Sequence, residues 1–176
     1  MMKRGVSLAL FVAVVILFSS CGYKPSAQHS RIVVGEKIST SVVISLQDPE
    51  NTVLIKDALD RAILEVFNAS LRVRKESDTH LKISILRMNY KPVQYNRDGY
   101  VVAYRTSIKL LIKRESKLTT KEYIGRGTYD FSIVANAVVT DQERFDAIEY
   151  SAVKAIKSFV AQVSAEGARR KKEEKR

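Results

Sequence analysis

Residues 81–113 read LKISILRMNYKPVQYNRDGYVVAYRTSIKLLIK, and they contain the clearest secondary-structure pattern in the sequence. Asp98-Gly99 supplies the positive φ angles that a tight hairpin turn needs, so we predict two long antiparallel strands on either side of it. In the first strand, 81–95, the alternating apolar residues change face after Ile85, which predicts a bulge or an outer half packed on something else. Pro92 cannot donate a ladder hydrogen bond, so this outer half is expected at an edge.

The strand that returns from the turn has one apolar and one polar face. The apolar residues are Val102, Tyr104, Ile108, Leu110 and Ile112, and the polar ones are Arg105, Ser107, Lys109 and Lys113. A further strand follows at 123–133, with Arg126 on its polar face and Gly125 and Gly127 on its apolar face. These glycines either let a helix approach closely or merely bend the strand.

Two amphipathic helices are predicted, one before and one after these strands. Asp48-Pro49 is suited to open the first, whose apolar residues recur at spacings of three and four up to Phe67. Thr140 and Glu143 form a capping-box pattern that opens the second, and Gly167 is expected to end it.

The alternation that starts at Thr40 predicts a first strand, and residues 75–80, including His80, read as a linker. The element order is therefore β-α-β-β-β-α. This order predicts an α/β two-layer sandwich, in which a four-stranded mixed sheet is covered on one face by two helices. The first helix is expected to connect two parallel strands, and the last three strands are expected to form an antiparallel meander. All of these elements are predicted to form one domain at residues 40–166.

The amino terminus has the order of an export signal. Lys3 and Arg4 precede an apolar run that is too short to span a bilayer, and Cys21 is the only cysteine. Residues 17–21, LFSSC, resemble a lipobox, so we predict a signal peptide at 1–20 and a lipid attached to Cys21. The alternative is an ordinary signal peptide with a stray thiol. Residues 21–39 are expected to form a tether that joins the lipid to the domain.

The chain is basic, with a formal net charge of +11. Six of its cations lie in the last eight residues, and residues 167–176 are predicted to be a disordered basic tail. The folded part is also basic, which indicates an acidic partner: nucleic acid, anionic lipid or a phosphorylated glycolipid. Export across the inner membrane excludes nucleic acid as the expected partner.

The sequence favours a protein that is not an enzyme. His29 and His80 are its only histidines, and neither a phosphate-binding glycine loop nor a serine elbow is present. We therefore expect no catalytic residues, no metal site and no cofactor.

The polar sheet face and the hairpin instead predict a binding surface. Its candidate contact residues are Arg97, Lys91, Arg87, Arg105 and Lys109. With Tyr90, Tyr95, Tyr100 and Tyr104 beside them, these cations would attract phosphate and offer apolar platforms to acyl chains or sugars. The alternative for any single one of them is that it only keeps an exposed strand soluble.

Several of these features, taken in order, resemble the LptE family of lipopolysaccharide-assembly lipoproteins. They are Cys21-Gly22-Tyr23, the strand-helix pair, the segment Asn96-Arg97-Asp98-Gly99 with Tyr104 after it, and the final helix opened near Asp141. The resemblance implies a non-enzymatic plug inside the outer-membrane β-barrel LptD, on the periplasmic side, that helps the barrel assemble and binds lipopolysaccharide. It also implies that Arg97 contacts lipopolysaccharide, whereas Thr140 stands where the family has a second basic residue.

A second function from another class is an outer-membrane lipoprotein that regulates a cell-wall synthase. Such a regulator usually needs a long tether, and the stretch from Gly22 to about Thr40 extends at most roughly 60 Å. A lipid-anchored hydrolase is the third alternative, and the sequence lacks residues to support it.

Overall fold

The computed structural model describes residues 33–43, 52–67, 70–117, 119–135 and 137–173. Its elements in chain order are β1 Ile38–Val43, α1 Thr52–Phe67, a 3-10 turn Arg74–Glu76, β2 Thr79–Tyr95, β3 Val101–Ser116, β4 Thr120–Ser132 and α2 Asp141–Glu173. The signal peptide, Cys21 and the opening of the first helix at Asp48-Pro49 lie outside the described residues.

The four strands form one mixed sheet in the order β1-β2-β3-β4. The first two strands are parallel, and the β2–β3 and β3–β4 pairs are antiparallel. Both helices pack on the same face, so the predicted α/β two-layer sandwich and its element order are confirmed. Within the described residues, no helix is both long enough and apolar enough to cross a membrane.

The long hairpin of β2 and β3 forms as its sequence predicts. The register between these strands shifts between Ile85 and Arg87, which is the bulge expected from the change of apolar face. The described pairing of β1 with β2 ends at Ser84, and from Ile85 onward the described partner of β2 is β3. The outer half of the hairpin therefore extends beyond the part of the sheet that β1 flanks.

The core lies between the sheet and the two helices. Its fully buried side chains include Leu59 from α1, Leu81 and Ile83 from β2, and Phe159 from α2. The closest approach is at β4, where a Cβ added to Gly125 would lie 2.4 Å from the Ala155 carbonyl oxygen. A Cβ added to Gly127 would lie 1.9 Å from the Ser151 carbonyl oxygen. Of the two explanations for these glycines, close approach of a helix is therefore the right one.

The capping box at the start of α2 is confirmed. The Thr140 amide donates to Glu143 Oε2 at 2.7 Å, and the Glu143 amide donates to Thr140 Oγ1 at 3.2 Å. The hydrogen bonds that the Glu143 carboxylate accepts from the amide and the hydroxyl of Thr140 lower its pKa. The box satisfies backbone donors that a helix start otherwise leaves unpaired.

The prediction that Gly167 ends this helix is wrong, because α2 continues to Glu173. Residues 167–173 of the predicted disordered tail are therefore helical. Glycine costs a helix only about 1 kcal/mol, and Ala168 to Lys172 are good helix formers. The cations at the end of α2 also interact favourably with its carboxyl-terminal dipole.

Glu166 fastens this extended end of the helix to β4. Its carboxylate accepts hydrogen bonds from Lys121 Nζ and the Tyr123 hydroxyl, each at 2.8 Å, and from Arg170 Nη2 at 2.6 Å. Burial acts to raise the pKa of Glu166, but these donors outweigh it and lower the pKa to about 2. The carboxylate is thus charged at neutral pH and joins two elements of the sandwich.

The predicted tether is wrong for its last residues. Val33, Val34 and Ile38 are buried in the core, and β1 begins at Ile38, two residues before the predicted start. The buried Arg114 of β3 donates a hydrogen bond to the Val33 carbonyl through Nη1. Apolar residues at 33–38 therefore belong to the folded domain.

The predicted linker before β2 is wrong at His80, which lies within the strand and is buried. Its Nδ1 and Nε2 each lie 2.9 Å from a serine hydroxyl, Ser39 Oγ and Ser41 Oγ respectively. Burial and the nearby Arg74 lower the pKa of the imidazole. Both ring nitrogens are thus engaged in joining β1 to β2.

We expect Gly127→Ala to destabilise the domain by about 1–3 kcal/mol, because its Cβ would overlap the backbone of α2 and the two layers would have to separate. Urea unfolding monitored by circular dichroism measures the change. Gly99→Ala is the contrasting variant: its φ of +84° makes a side chain costly there, but no atom lies within 4 Å. A Gly127→Ala domain as stable as the unchanged one would contradict the close-packing role.

Candidate anion-binding surface

The outer face of the sheet is the side away from the helices, and strand register decides which residues share it. Residues directly opposite each other on neighbouring strands point to the same face, with Cβ atoms about 4.5–5.5 Å apart. Because of the bulge after Ile85, Lys82 from before it and Arg87 from after it both lie on this face. The outer face therefore collects cations from both halves of β2.

Three cations form a continuous line across this face. Lys109 of β3 is the register partner of Arg87 on β2 and of Arg126 on β4. We call Arg87, Lys109 and Arg126 the cation row. Among the described residues, none of the three forms an ion pair, and Arg87 and Arg126 are exposed. Like charges placed directly opposite each other are unfavourable, so the row is a site of uncompensated positive potential.

The other two cations on the outer face of β3, Arg105 and Lys113, differ from the cation row because each lies opposite an acid. Arg105 lies between Lys91 and Asp130, and its guanidinium donates two hydrogen bonds of 2.6 Å to the two oxygens of Asp130. This pairing raises the pKa of Arg105 and lowers the pKa of Asp130. Lys113 similarly lies opposite Glu122. The predicted contact residue Arg105 is therefore already balanced by a carboxylate.

Apolar side chains border the cation row on the side away from the hairpin tip. Leu111 and Ile124 are register partners on the outer face, and both are partly exposed. Leu86, in the bulge next to Arg87, is 49% exposed. The surface thus offers a line of cations beside hydrocarbon, which is the pattern that an anionic amphiphile matches.

Arg97 stands at the tip of the hairpin, fully outside the sheet. Asn96 organises this turn: its Oδ1 accepts hydrogen bonds from the amides of Asp98 and Tyr100 at 3.0 and 2.8 Å. Gly99 adopts the positive φ that the sequence predicts. The turn is closed by the backbone and the Asn96 side chain, so the exposed Arg97 guanidinium is left to point into solvent.

The structure divides the predicted patch of cations and tyrosines between two faces. Tyr90 and Tyr104 lie on the helix side of the sheet, whereas Arg87, Lys109 and Lys91 lie on the outer face. The prediction that these tyrosines flank the cations as one surface is therefore wrong at Tyr90 and Tyr104. The predicted change of face after Ile85 and the predicted apolar face of β3, which includes Tyr104, already imply this division, whereas grouping residues by their closeness in the sequence does not. Arg126 lies on the polar face as the sequence predicts, but its alignment with Lys109 depends on the register between β3 and β4, which neither strand shows alone.

We expect Lys109→Gln to stabilise the domain slightly at low salt, by roughly 0.2–0.5 kcal/mol, because it removes repulsion between three aligned cations. The gain should disappear at high salt, where exposed charges are screened. Lys113→Gln is the matched control on the same strand and face, and it removes a charge that faces Glu122. Urea unfolding at both salt concentrations measures the difference, and a loss of stability in Lys109→Gln alone would contradict the repulsion.

Several solved structures are similar to this chain over most of its length, at low sequence identity and with TM-scores below 0.5. A Caulobacter crescentus CB15 protein covers 82% of this chain and 96% of its own, with 11% identity and a TM-score of 0.48. The rare lipoprotein B from Shewanella oneidensis covers 78% and 96%, with 10% identity and a TM-score of 0.37. Lipoprotein B from Nitrosomonas europaea covers 84% and 93%, with 17% identity and a TM-score of 0.41. Among curated proteins, no sequence matches significantly.

The family of this chain is shown by its amino-acid sequence, which matches a family model. The model for LptE, lipopolysaccharide-assembly, matches residues 40–163, which include every strand and helix from β1 to most of α2. This match extends over well more than half of the chain and agrees with the family resemblance of its separate motifs. The chain belongs to the LptE family of lipopolysaccharide-assembly lipoproteins.

Proposed function

We propose that this protein is an outer-membrane lipoprotein that sits inside the lipopolysaccharide-export barrel LptD, helps that barrel assemble, and binds lipopolysaccharide during delivery to the cell surface. The single observation that best supports lipopolysaccharide binding is the cation row, which crosses three strands without a carboxylate partner among the described residues. Lipid A carries phosphates, and arginine binds phosphate with paired hydrogen bonds. A role without catalysis is part of the same proposal.

The polarity of the outer face supports the proposed position inside a barrel. Large β-barrels have polar interiors, and a sheet face lined by Arg87, Lys109 and Arg126 suits such surroundings better than it suits a hydrocarbon layer. The hairpin tip lies beyond the part of the sheet that the described residues of β1 flank, so Arg97 is the residue that we expect to reach deepest. Lys91 and Arg105 extend the basic surface toward that tip.

A lipid on Cys21 would place the domain at the periplasmic side of the outer membrane. Cys21 is the only cysteine and follows a short apolar run, and Gly22 rather than aspartate comes next. In lipoproteins of this kind, aspartate at that position favours retention in the inner membrane. The acyl chains would supply membrane affinity at roughly 0.8 kcal/mol per buried methylene.

Two charge reversals test the binding site. We expect Arg97→Glu and Lys109→Glu each to weaken lipopolysaccharide binding by about tenfold or more, because each replaces an attraction to phosphate by a repulsion. Arg97→Glu should in addition reduce the amount of LptD that co-purifies. Arg169→Glu, an equal charge change on the exposed end of α2, is the control and should leave both values unchanged. Unchanged binding and co-purification in both variants would refute the assignment.

The same purification also tests the alternative function. Capture of a cell-wall synthase in place of a large β-barrel would favour the regulator of cell-wall synthesis over the barrel plug.

Replacement of Cys21 tests the anchor. We expect Cys21→Ser to abolish incorporation of labelled palmitate and to remove the protein from the outer-membrane fraction, because the thiol that accepts the lipid is gone. Ser26→Ala, a nearby change that keeps the thiol, should be labelled and localised like the unchanged chain. Labelling that persists in Cys21→Ser would show that the lipid is attached elsewhere.

A further inference from the structure

A pocket of about 370 Å³ lies on the helix side of the sheet, below the outer half of the hairpin. It is formed by residues from both helices, three strands and the segment before α2, namely Leu54, Met88, Tyr90, Tyr104, Phe131, Val139, Arg144 and Ile148. We call it the aromatic pocket. Tyr104 and Phe131 form one of its walls, with their rings stacked at a centroid distance of 6.0 Å. Its volume is at the lower end of the range for ligand sites, which suits one hydrocarbon chain better than a whole lipid.

Arg144 is the one charged residue among the described residues that line this pocket. It is partly buried on the first turn of α2, and no ion pair is formed by its guanidinium within the described residues. Two acids precede it in the first turn of α2. The Glu143 carboxylate is occupied by the amide and hydroxyl of Thr140, and Asp141, which is three residues before Arg144 on the same helix face, forms no ion pair with it among the described residues. A partly desolvated cation without an anion costs free energy, so an anionic group of a ligand would be stabilised beside it.

Tyr90 does not supply that anion. Burial raises the pKa of its phenol to about 12, while the neighbouring Arg144 acts in the opposite direction. The ring is therefore neutral at physiological pH and contributes an apolar wall with one hydroxyl. The pocket combines hydrocarbon and aromatic surface with a single cation, which is complementary to an acyl chain that ends in a phosphate or a carboxylate.

We propose that the aromatic pocket binds one acyl chain of an anionic lipid, with the Arg144 guanidinium against its charged group. The proposal deepens the proposed function, because it assigns the hydrocarbon of the ligand to the inner face and leaves further phosphates to the cation row. Two lipids share this chemistry, lipopolysaccharide and an anionic glycerophospholipid. The inference that this lipid is lipopolysaccharide rests on the proposed function. The inference that the pocket binds an acyl chain does not rest on it.

Photo-crosslinking in membranes tests the proposal on the full chain. The photoreactive residue p-benzoylphenylalanine is placed at position 88 instead of Met88, where it faces the pocket and can insert into a C–H bond of a bound chain. Cells are irradiated, and mass spectrometry of the protein identifies the adduct. We expect a lipid adduct at position 88, and its mass distinguishes lipid A from a glycerophospholipid.

The control variants separate binding from folding. Arg144→Gln should reduce the adduct about tenfold, which corresponds to loss of one charge-assisted contact, whereas Arg144→Lys should restore most of it. The control places the same photoreactive residue at Leu64, which is exposed on α1 and does not line the pocket. Any adduct formed there should be equally abundant with Arg144 and with Arg144→Gln. Recovery of the Arg144→Lys adduct shows that the domain tolerates substitution at this position.

The outcomes for the two proposals are distinguishable. A glycerophospholipid adduct would support acyl-chain binding in the aromatic pocket and would count against lipopolysaccharide as the ligand of that pocket. Loss of lipopolysaccharide binding in Lys109→Glu concerns the cation row and would leave the conclusion about the pocket unchanged. Absence of a lipid adduct at position 88 would overturn the proposal. A crosslink to this chain itself, or an adduct of the same size in Arg144→Gln, would overturn it as well.

Discussion

The structure depends on the contact between the backbone of α2 and the backbone of β4. Gly125 and Gly127 leave no side chain on the face where the Ala155 and Ser151 carbonyls lie, so the helix axis comes closer to the sheet than any larger residue would permit. Small residues on the helix, Ser151, Ala152 and Ala155, complete this contact and are all fully buried. Dispersion contacts at such short range hold the two layers at one separation and orientation.

That contact determines where the rest of the sheet is covered. The helix lies across β4 and β3 and leaves the outer half of the hairpin to project beyond it, so Met88, Tyr90 and Tyr104 face a pocket rather than a packed core. At the opposite end, the Glu166 carboxylate joins α2 to Lys121 and Tyr123 of β4. The carboxyl-terminal part of α2 is therefore fastened to β4, and its amino-terminal part borders the pocket.

The two faces of the hairpin consequently have different chemistry. The outer face has aligned cations with few carboxylates, whereas the inner face of the outer half has aromatic and aliphatic side chains that border the Arg144 guanidinium of α2. A sheet with only one face packed can show such a contrast because side chains alternate along each strand. For a protein of a lipopolysaccharide-assembly family, this arrangement offers separate surfaces for the charged and the hydrocarbon parts of an amphiphile.

Features that arise from neighbouring residues could be predicted from the sequence. Asp98-Gly99 requires a tight turn, Thr140 and Glu143 cap a helix reciprocally, and the shifted alternation around Ile85 requires a bulge, so the element order and the fold class could be predicted. Features that depend on residues far apart in the chain could be seen only in the folded domain. The bulge aligns Arg87 with Lys109 and Arg126 on the outer face. Pairing with β1 and the hydrogen bond to Ser39 bury His80, and Glu166 fastens the end of α2 to β4. Strand register and burial are set by packing between distant segments, and no single segment specifies them. For that reason the cation row and the aromatic pocket could not be predicted from the separate strands and helices.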